Sequence, residues 1–196
     1  YRGILMILTN GQTIAVRAYA SEEILNSFVK FGSGSILGIP IPAYVFIVIA
    51  LLLSFILKKT VFGRNIYFIG SNPDAAAMSG INVPKVKFIA YIITGMLGGL
   101  AGAMLAGRLV SMPTNGGNGY EFEGIFASVL GGISMVGGEG GMLGAVVGAI
   151  IVACIRNGLN LNGIDAFWQQ VILGIIIVIA VFYDTVRTKK ARNAKS

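Results

Sequence analysis

The chain has 196 residues, 55% of them hydrophobic and only 12% charged, with a formal net charge of +7. Soluble domains carry about 25% charged residues, so half that share, with a mean hydropathy of +0.80, excludes an ordinary water-soluble domain and makes lipid the main solvent. The chain has no histidine, which excludes histidine catalysis, metal ligation and proton relays, and its one cysteine, Cys154, excludes an intramolecular disulfide.

Residues 1–9 read as the end of an apolar element, and a first residue of Tyr rather than Met makes an N-terminally truncated chain the expectation. Residues 10–41 are more polar and carry Glu22 and Glu23. Pro40 and Pro42 open an apolar span from Ala43 to Leu57, which Lys58 and Lys59 stop. Residues 58–87 form a basic loop. Within it Asn72 suits a helix cap, Pro73 the first helical position, Asp74 the positive end of the dipole and Gly80 the helix end. The resulting surface helix is too short to stand alone and must pack on something. A long apolar span follows from Phe88 to Ala106, where Gly98 and Gly102 form a small-residue face that predicts a closely packed neighbouring helix.

Met112 to Glu123 reads as a polar, glycine-rich loop with Glu121 and Glu123 in solvent. The apolar element from Ile125 to Val136 is too short to cross a bilayer as a straight helix, which predicts a broken, tilted or re-entrant piece. Gly141 to Leu159 is the next span, with Cys154 as a small packing residue, and Asn160 to Asp165 reads as a turn. Phe167 and Trp168 suit a membrane–water interface ahead of a last span, Ile172 to Tyr183, and residues 185–196 form a basic tail. The fold class expected is all-α, a polytopic membrane helix bundle with a short broken or re-entrant glycine-rich element, organised as one transmembrane domain over residues 1–196.

Ten of the fifteen Lys and Arg fall in two clusters: Lys58, Lys59, Arg64, Lys85 and Lys87, then Arg187, Lys189, Lys190, Arg192 and Lys195. Basic clusters beside apolar spans mark the cytoplasmic side, which makes residues 58–87 a cytoplasmic loop and places the C-terminus in the cytoplasm. The four apolar elements between the clusters bring the chain back to the same side. The loops with Glu121, Glu123 and Asp165 then lie outside, with Arg108 and Arg156 nearby, and the glycine turn at 137–141 lies inside. Nucleic-acid binding would also use basic residues, but no aromatic interleaving or binding motif accompanies them.

No enzyme motif, nucleotide-binding glycine loop or metal-ligating cluster is present, so neither a cofactor nor a metal is expected. The glycines from Gly131 to Gly148 are denser than helix packing requires, and glycine weakens a helix by about 1 kcal/mol per residue relative to alanine. The doubled pairs suggest exposed backbone at a site of movement or docking. Glu139, between two glycine pairs, is either a solvated turn residue or a contact with a cytoplasmic partner. Uncharged polar residues near the spans, among them Ser128, Asn157, Asn160 and Gln169, suit a polyhydroxylated solute that needs hydrogen bonds without charge pairing, although each also suits a helix–helix hydrogen bond.

The run Phe62-Gly63-Arg64-Asn65-Ile66-Tyr67-Phe68-Ile69-Gly70-Ser71-Asn72-Pro73-Asp74-Ala75-Ala76, with Ser79-Gly80-Ile81-Asn82-Val83, resembles the cytoplasmic loop of ribose-type sugar permeases of ABC importers. Gly119-Tyr120-Glu121-Phe122-Glu123, the stretch Val129 to Gly140 and Asn157-Gly158-Leu159-Asn160-Leu161-Asn162-Gly163 continue the resemblance in order. It implies a multi-pass permease subunit of a bacterial plasma (inner) membrane that imports simple sugars. Its implied partners are a second permease copy in a homodimer or heterodimer, two ABC ATPase subunits and a sugar-binding protein. It also implies ATPase coupling at Ser134, Gly137, Gly138, Glu139, Gly140 and Gly141, with Asn72 and Asp74 as a second contact. Glu139 departs from the basic or neutral residue familiar at its place. A secondary transporter or facilitator of a small polar solute is the alternative, and a membrane scaffold without transport is a third reading.

Overall fold

A computed structural model of the chain describes the backbone of residues 2–15, 21–114 and 116–193, and the side chains of these except at 2, 166, 180 and 183–193. The described elements are α1 (Arg2–Thr9), β1 (Ile14–Ala15), α2 (Glu22–Ser33), β2 (Ser35–Ile36), β3 (Ile39–Pro40), α3 (Ile41–Lys59), α4 (Val61–Ser71), α5 (Pro73–Met78), α6 (Val83–Leu109), β4 (Ser111–Met112), α7 (Tyr120–Leu130), α8 (Met142–Leu161) and α9 (Ala166–Asn193). Helices dominate, and each strand is only two residues long. Among the described residues α3, α6 and α8 are long and apolar enough to cross a membrane, and Phe167–Ile179 of α9 is a shorter apolar stretch. The chain is an all-α membrane helix bundle.

Contacts divide the chain into two units, Tyr1–Leu51 with Pro84–Asn118, and Leu52–Val83 with Gly119–Ser196. In the first, β1 pairs antiparallel with β4, Ile14 opposite Met112 and Ala15 opposite Ser111. β2 and β3 form a hairpin closed by Leu37 and Gly38 at φ 53° and 80°. Two consecutive left-handed residues match the right-handed twist of the flanking strands. The helices α2 and α6 meet through Gly32 and Gly107: a methyl group at Gly107 would come within 2.6 Å of the Phe28 carbonyl oxygen. The expected neighbour on Gly98 and Gly102 is not found among the described residues, where no atom lies within 4 Å of a methyl placed on either.

In the second unit a single residue, Thr60, joins α3 to α4. Its hydroxyl accepts from Gly63 N at 3.1 Å and donates to Ile56 O at 2.7 Å, closing one helix end and opening the next. α4 was not foreseen as a separate helix within the basic loop. α5 forms as its residues predict: Asn72 Oδ1 accepts from the backbone N of Asp74 and of Ala75, both at 3.0 Å. Gly80, at φ 81°, ends it, with Gly80 N donating to Ala77 O and Ile81 N to Ala76 O. This paired closure satisfies carbonyls that a helix end would leave open. α5 rests on α4, and Ala76 is fully buried.

Several sequence boundaries shift. The predicted loop to Glu123 ends at Gly119, and Glu121 and Glu123 lie in the first turn of α7. α7 stops at Leu130, so Gly131 to Val136 belong to the turn that follows. Asn160 lies in α8. Arg156 lies inside the α8 span instead of beside an external loop, and Cys154 is exposed on it instead of packed. α9 runs unbroken from the expected interface aromatics through Asn193, and the basic side chains of the tail lie outside the described residues.

Candidate functional site: a backbone junction at the glycine turn

α7 and α8 run antiparallel and meet through glycine. A methyl at Gly131 would strike the carbonyl of Gly144, and one at Gly148 would strike the carbonyl of Ala127. Only side-chain-free positions let two helix backbones come this close. α7 then closes as α5 does: Gly132, at φ 78°, donates to Val129 O at 3.0 Å, and Ile133 N donates to Ser128 O at 3.0 Å.

The following turn is held by its own backbone. Ser134 N donates to Glu139 O at 3.1 Å, and Gly137 N donates to Ser134 O at 3.2 Å. Gly137, Gly138 and Gly140 have φ of 101°, 78° and 129°. A left-handed backbone costs an ordinary residue roughly 1–2 kcal/mol, so the doubled glycines are what this path requires.

The turn is seated on α4. A methyl at Gly70 would lie 2.5 Å from Gly138 N, and one at Gly137 would lie 2.6 Å from Gly70 O. The Tyr67 hydroxyl donates to Gly140 O at 2.9 Å. A cleft of about 290 Å³ opens at this seam, lined by Leu57, Ile66, Tyr67, Ser134, Glu139 and Met142 among others. Thus two segments far apart in sequence, each a separate candidate for partner contact, meet: Ser134 to Gly141 lie against the end of α4, and Asn72 and Asp74 begin the next helix. The exposed side chains include Glu139 on the turn, Met135 at 62% and Val136 at 89%, and Met78 at 90% at the end of α5. Tyr67 and Gly70 were not singled out in the sequence, because a tyrosine and a glycine on a helix carry no sign of a partner far along the chain.

The residues expected along a solute path are not gathered in one place. Gln169 is 4% exposed, and its amide nitrogen donates to Asn160 Oδ1 at 2.7 Å and to Ile164 O at 2.8 Å, tying α8 to the start of α9. Ser128 donates back to Gly124 O at 2.8 Å, and Asn157 is exposed on α8. A polar contact missed in the sequence joins α7 to α8: Arg156 Nη1 meets Glu123 Oε1 in an ion pair. Neither Glu123 Oε1 nor Arg156 Nε finds an aligned hydrogen bond, so the contact is electrostatic. No cluster of three or more metal-ligating side chains occurs among the described residues.

Residues 2–181 match the protein family described as branched-chain amino acid transport system / permease component. The chain belongs to this permease family. It is 42% identical over 184 residues to the ribose import permease protein of Bacillus subtilis (strain 168), covering 94% of the chain and 56% of that protein. It is 38% identical over 183 residues to the ribose import permease protein of Escherichia coli (strain K12), covering 93% and 56%. Identity to the xylose transport system permease protein of Haemophilus influenzae is 43% over 153 residues, covering 78% and 41%. The chain spans about half the length of the curated relatives it matches. No solved structure matches it.

Proposed function

We propose that the chain is part of the transmembrane permease subunit of an ATP-driven importer of simple sugars, and that it couples the membrane path to a separate ATPase. The family description names branched-chain amino acids, whereas the ribose and xylose permeases above are sugar proteins by name, and the closeness of that match favours a sugar here.

The observation that carries the coupling is the glycine junction. The positive-inside pattern puts the 58–87 segment and the 137–141 turn on the cytoplasmic side, and these are the segments joined at Gly70 and Gly137–Gly138. A cytoplasmic ATPase pressing on α5, through Asn72 and Asp74, or on the turn, through Ser134 and Gly137 to Gly141, would act on one seated body and thereby on α7. The other partners are a second permease copy and a sugar-binding protein that delivers the solute. The site is a bacterial plasma membrane, with the C-terminus in the cytoplasm.

The test is uptake of labelled ribose, xylose or arabinose by proteoliposomes holding the complete permease with its ATPase and sugar-binding protein. Uptake is expected only with ATP and all three components. Uptake that persists without the ATPase and follows an ion gradient would replace this reading with a secondary transporter.

A further inference from the structure

We propose that Glu123 and Arg156 are a positioning pair that makes α7 and α8 one rigid lever in the transport cycle. The proposal rests on the importer reading above.

α7 packs against α8 and, less extensively, against α9, and is weakly closed within its own first turn. It is only 11 residues long, and its N-cap, Gly119 at φ 86°, offers no side-chain hydrogen bond. An isolated helix of that length is marginal in water. At its other end it is fixed to α8 by the backbone contacts of Gly131 and Ala127 with Gly144 and Gly148. The ion pair supplies the second fixing, about one helical turn beyond Ala127. Two separated fixings stop a helix from pivoting on its neighbour, which one cannot do.

Arg156 also needs the pair. It lies within a span apolar enough to cross a membrane, and its side chain is 31% exposed, that of Glu123 24%. A charge in an apolar setting is costly unless an opposite charge accompanies it. The ion pair joins α7 to α8 directly, side chain to side chain. Motion entering at the glycine junction therefore reaches the far end of α7 without being absorbed by slippage against α8.

The experiment uses the complete transporter in proteoliposomes and reads sugar moved per ATP hydrolysed. Either Glu123→Arg or Arg156→Glu alone is expected to lower that ratio about tenfold while ATP hydrolysis continues, and the double reversal is expected to recover most of it. A ratio unchanged by the single reversals, or a double reversal no better than either, overturns the proposal.

A second arm stands if the reversals fail to accumulate in the membrane. In a Cys154→Ala background, Glu123→Cys with Arg156→Cys removes both charges and allows a bifunctional thiol reagent to tie the helices. The untied protein is expected to couple poorly and the tied protein to regain coupling. If tying abolishes the uptake that remains, the pair must open during the cycle and the lever is wrong. Unmodified transporter that needs no ATP defeats the importer reading itself. Unmodified transporter that is ATP-driven, with no rescue in either arm, defeats the clamp alone.

Discussion

Glycines that look alike in the sequence do different work. Gly138 has a left-handed backbone and lies against Ser71, whereas Gly141 is extended at φ −165° with nothing within 4 Å of a methyl placed on it. Gly138→Ala is expected to destabilise the permease by at least about 1–2 kcal/mol, seen as a lower midpoint of thermal unfolding in detergent. Gly141→Ala is expected to leave that midpoint unchanged. Loss of sugar uptake per ATP in Gly141→Leu, with stability intact, is then the signature of partner contact at the turn. Intact coupling in Gly141→Leu would remove that residue from the docking surface. The doubled glycines were legible as a break in the helix because no helix needs them. Their seat on Gly70 was not, because backbone complementarity leaves no mark in residue type.

At the scale of elements, capping chemistry was the most readable part of the chain. Asn72, Pro73, Asp74 and Gly80 predict α5 and are found in those roles. Asn72→Ala is expected to cost about 1 kcal/mol through loss of the two cap bonds. Because α5 has only six residues, hydrogen exchange should then accelerate across 74–78 while α8 amides keep their protection. Uniform acceleration in both helices would mean that the cap matters to the whole unit. α7 was misplaced for an identifiable reason. The apolar run continues through Ile133, Met135 and Val136, which drew the element too far along the chain. Glu121 and Glu123 looked like loop residues although acidic groups are favourable in a first helical turn. The ion pair to Arg156 stayed hidden because it depends on how two helices are set in register.

For the molecule as a whole, the solvent explains what the packing does not. The apolar windows of α3 and α6 have no residue buried within the chain, so their apolar surfaces are left for lipid or for other helices. Hydropathy makes that plain from the sequence alone, but not which glycines already have a neighbour. Gly107 packs on α2, while Gly98 meets nothing among the described residues. Gly107→Ile is expected to lower the thermal midpoint in detergent, with overpacking of this kind typically costing about 1–3 kcal/mol. Gly98→Ile should leave it unchanged. Equal losses at both would mean that a neighbouring helix covers Gly98 even in detergent.

The shortness of α7 has a consequence for water. The contacts of Ala127 with Gly148 and of Gly131 with Gly144 set a register in which α7 begins beside the middle of the α8 C-terminal half. α8 then continues past α7 for about six residues, some 9 Å, to Leu161, with Gln169 of α9 bonded to Asn160 on the way. Asn157 and Asn160 lie on that stretch and are exposed. Under the proposed sugar-importer function, a polyol arriving there would keep part of its hydration shell against these amides before α7 and α8 close around it. On that reading, dehydration would be confined to the roughly 16 Å that α7 covers, about half of a 30 Å hydrocarbon layer. For a solute whose main barrier is the loss of its water, a short helix shortens the dry part of the journey.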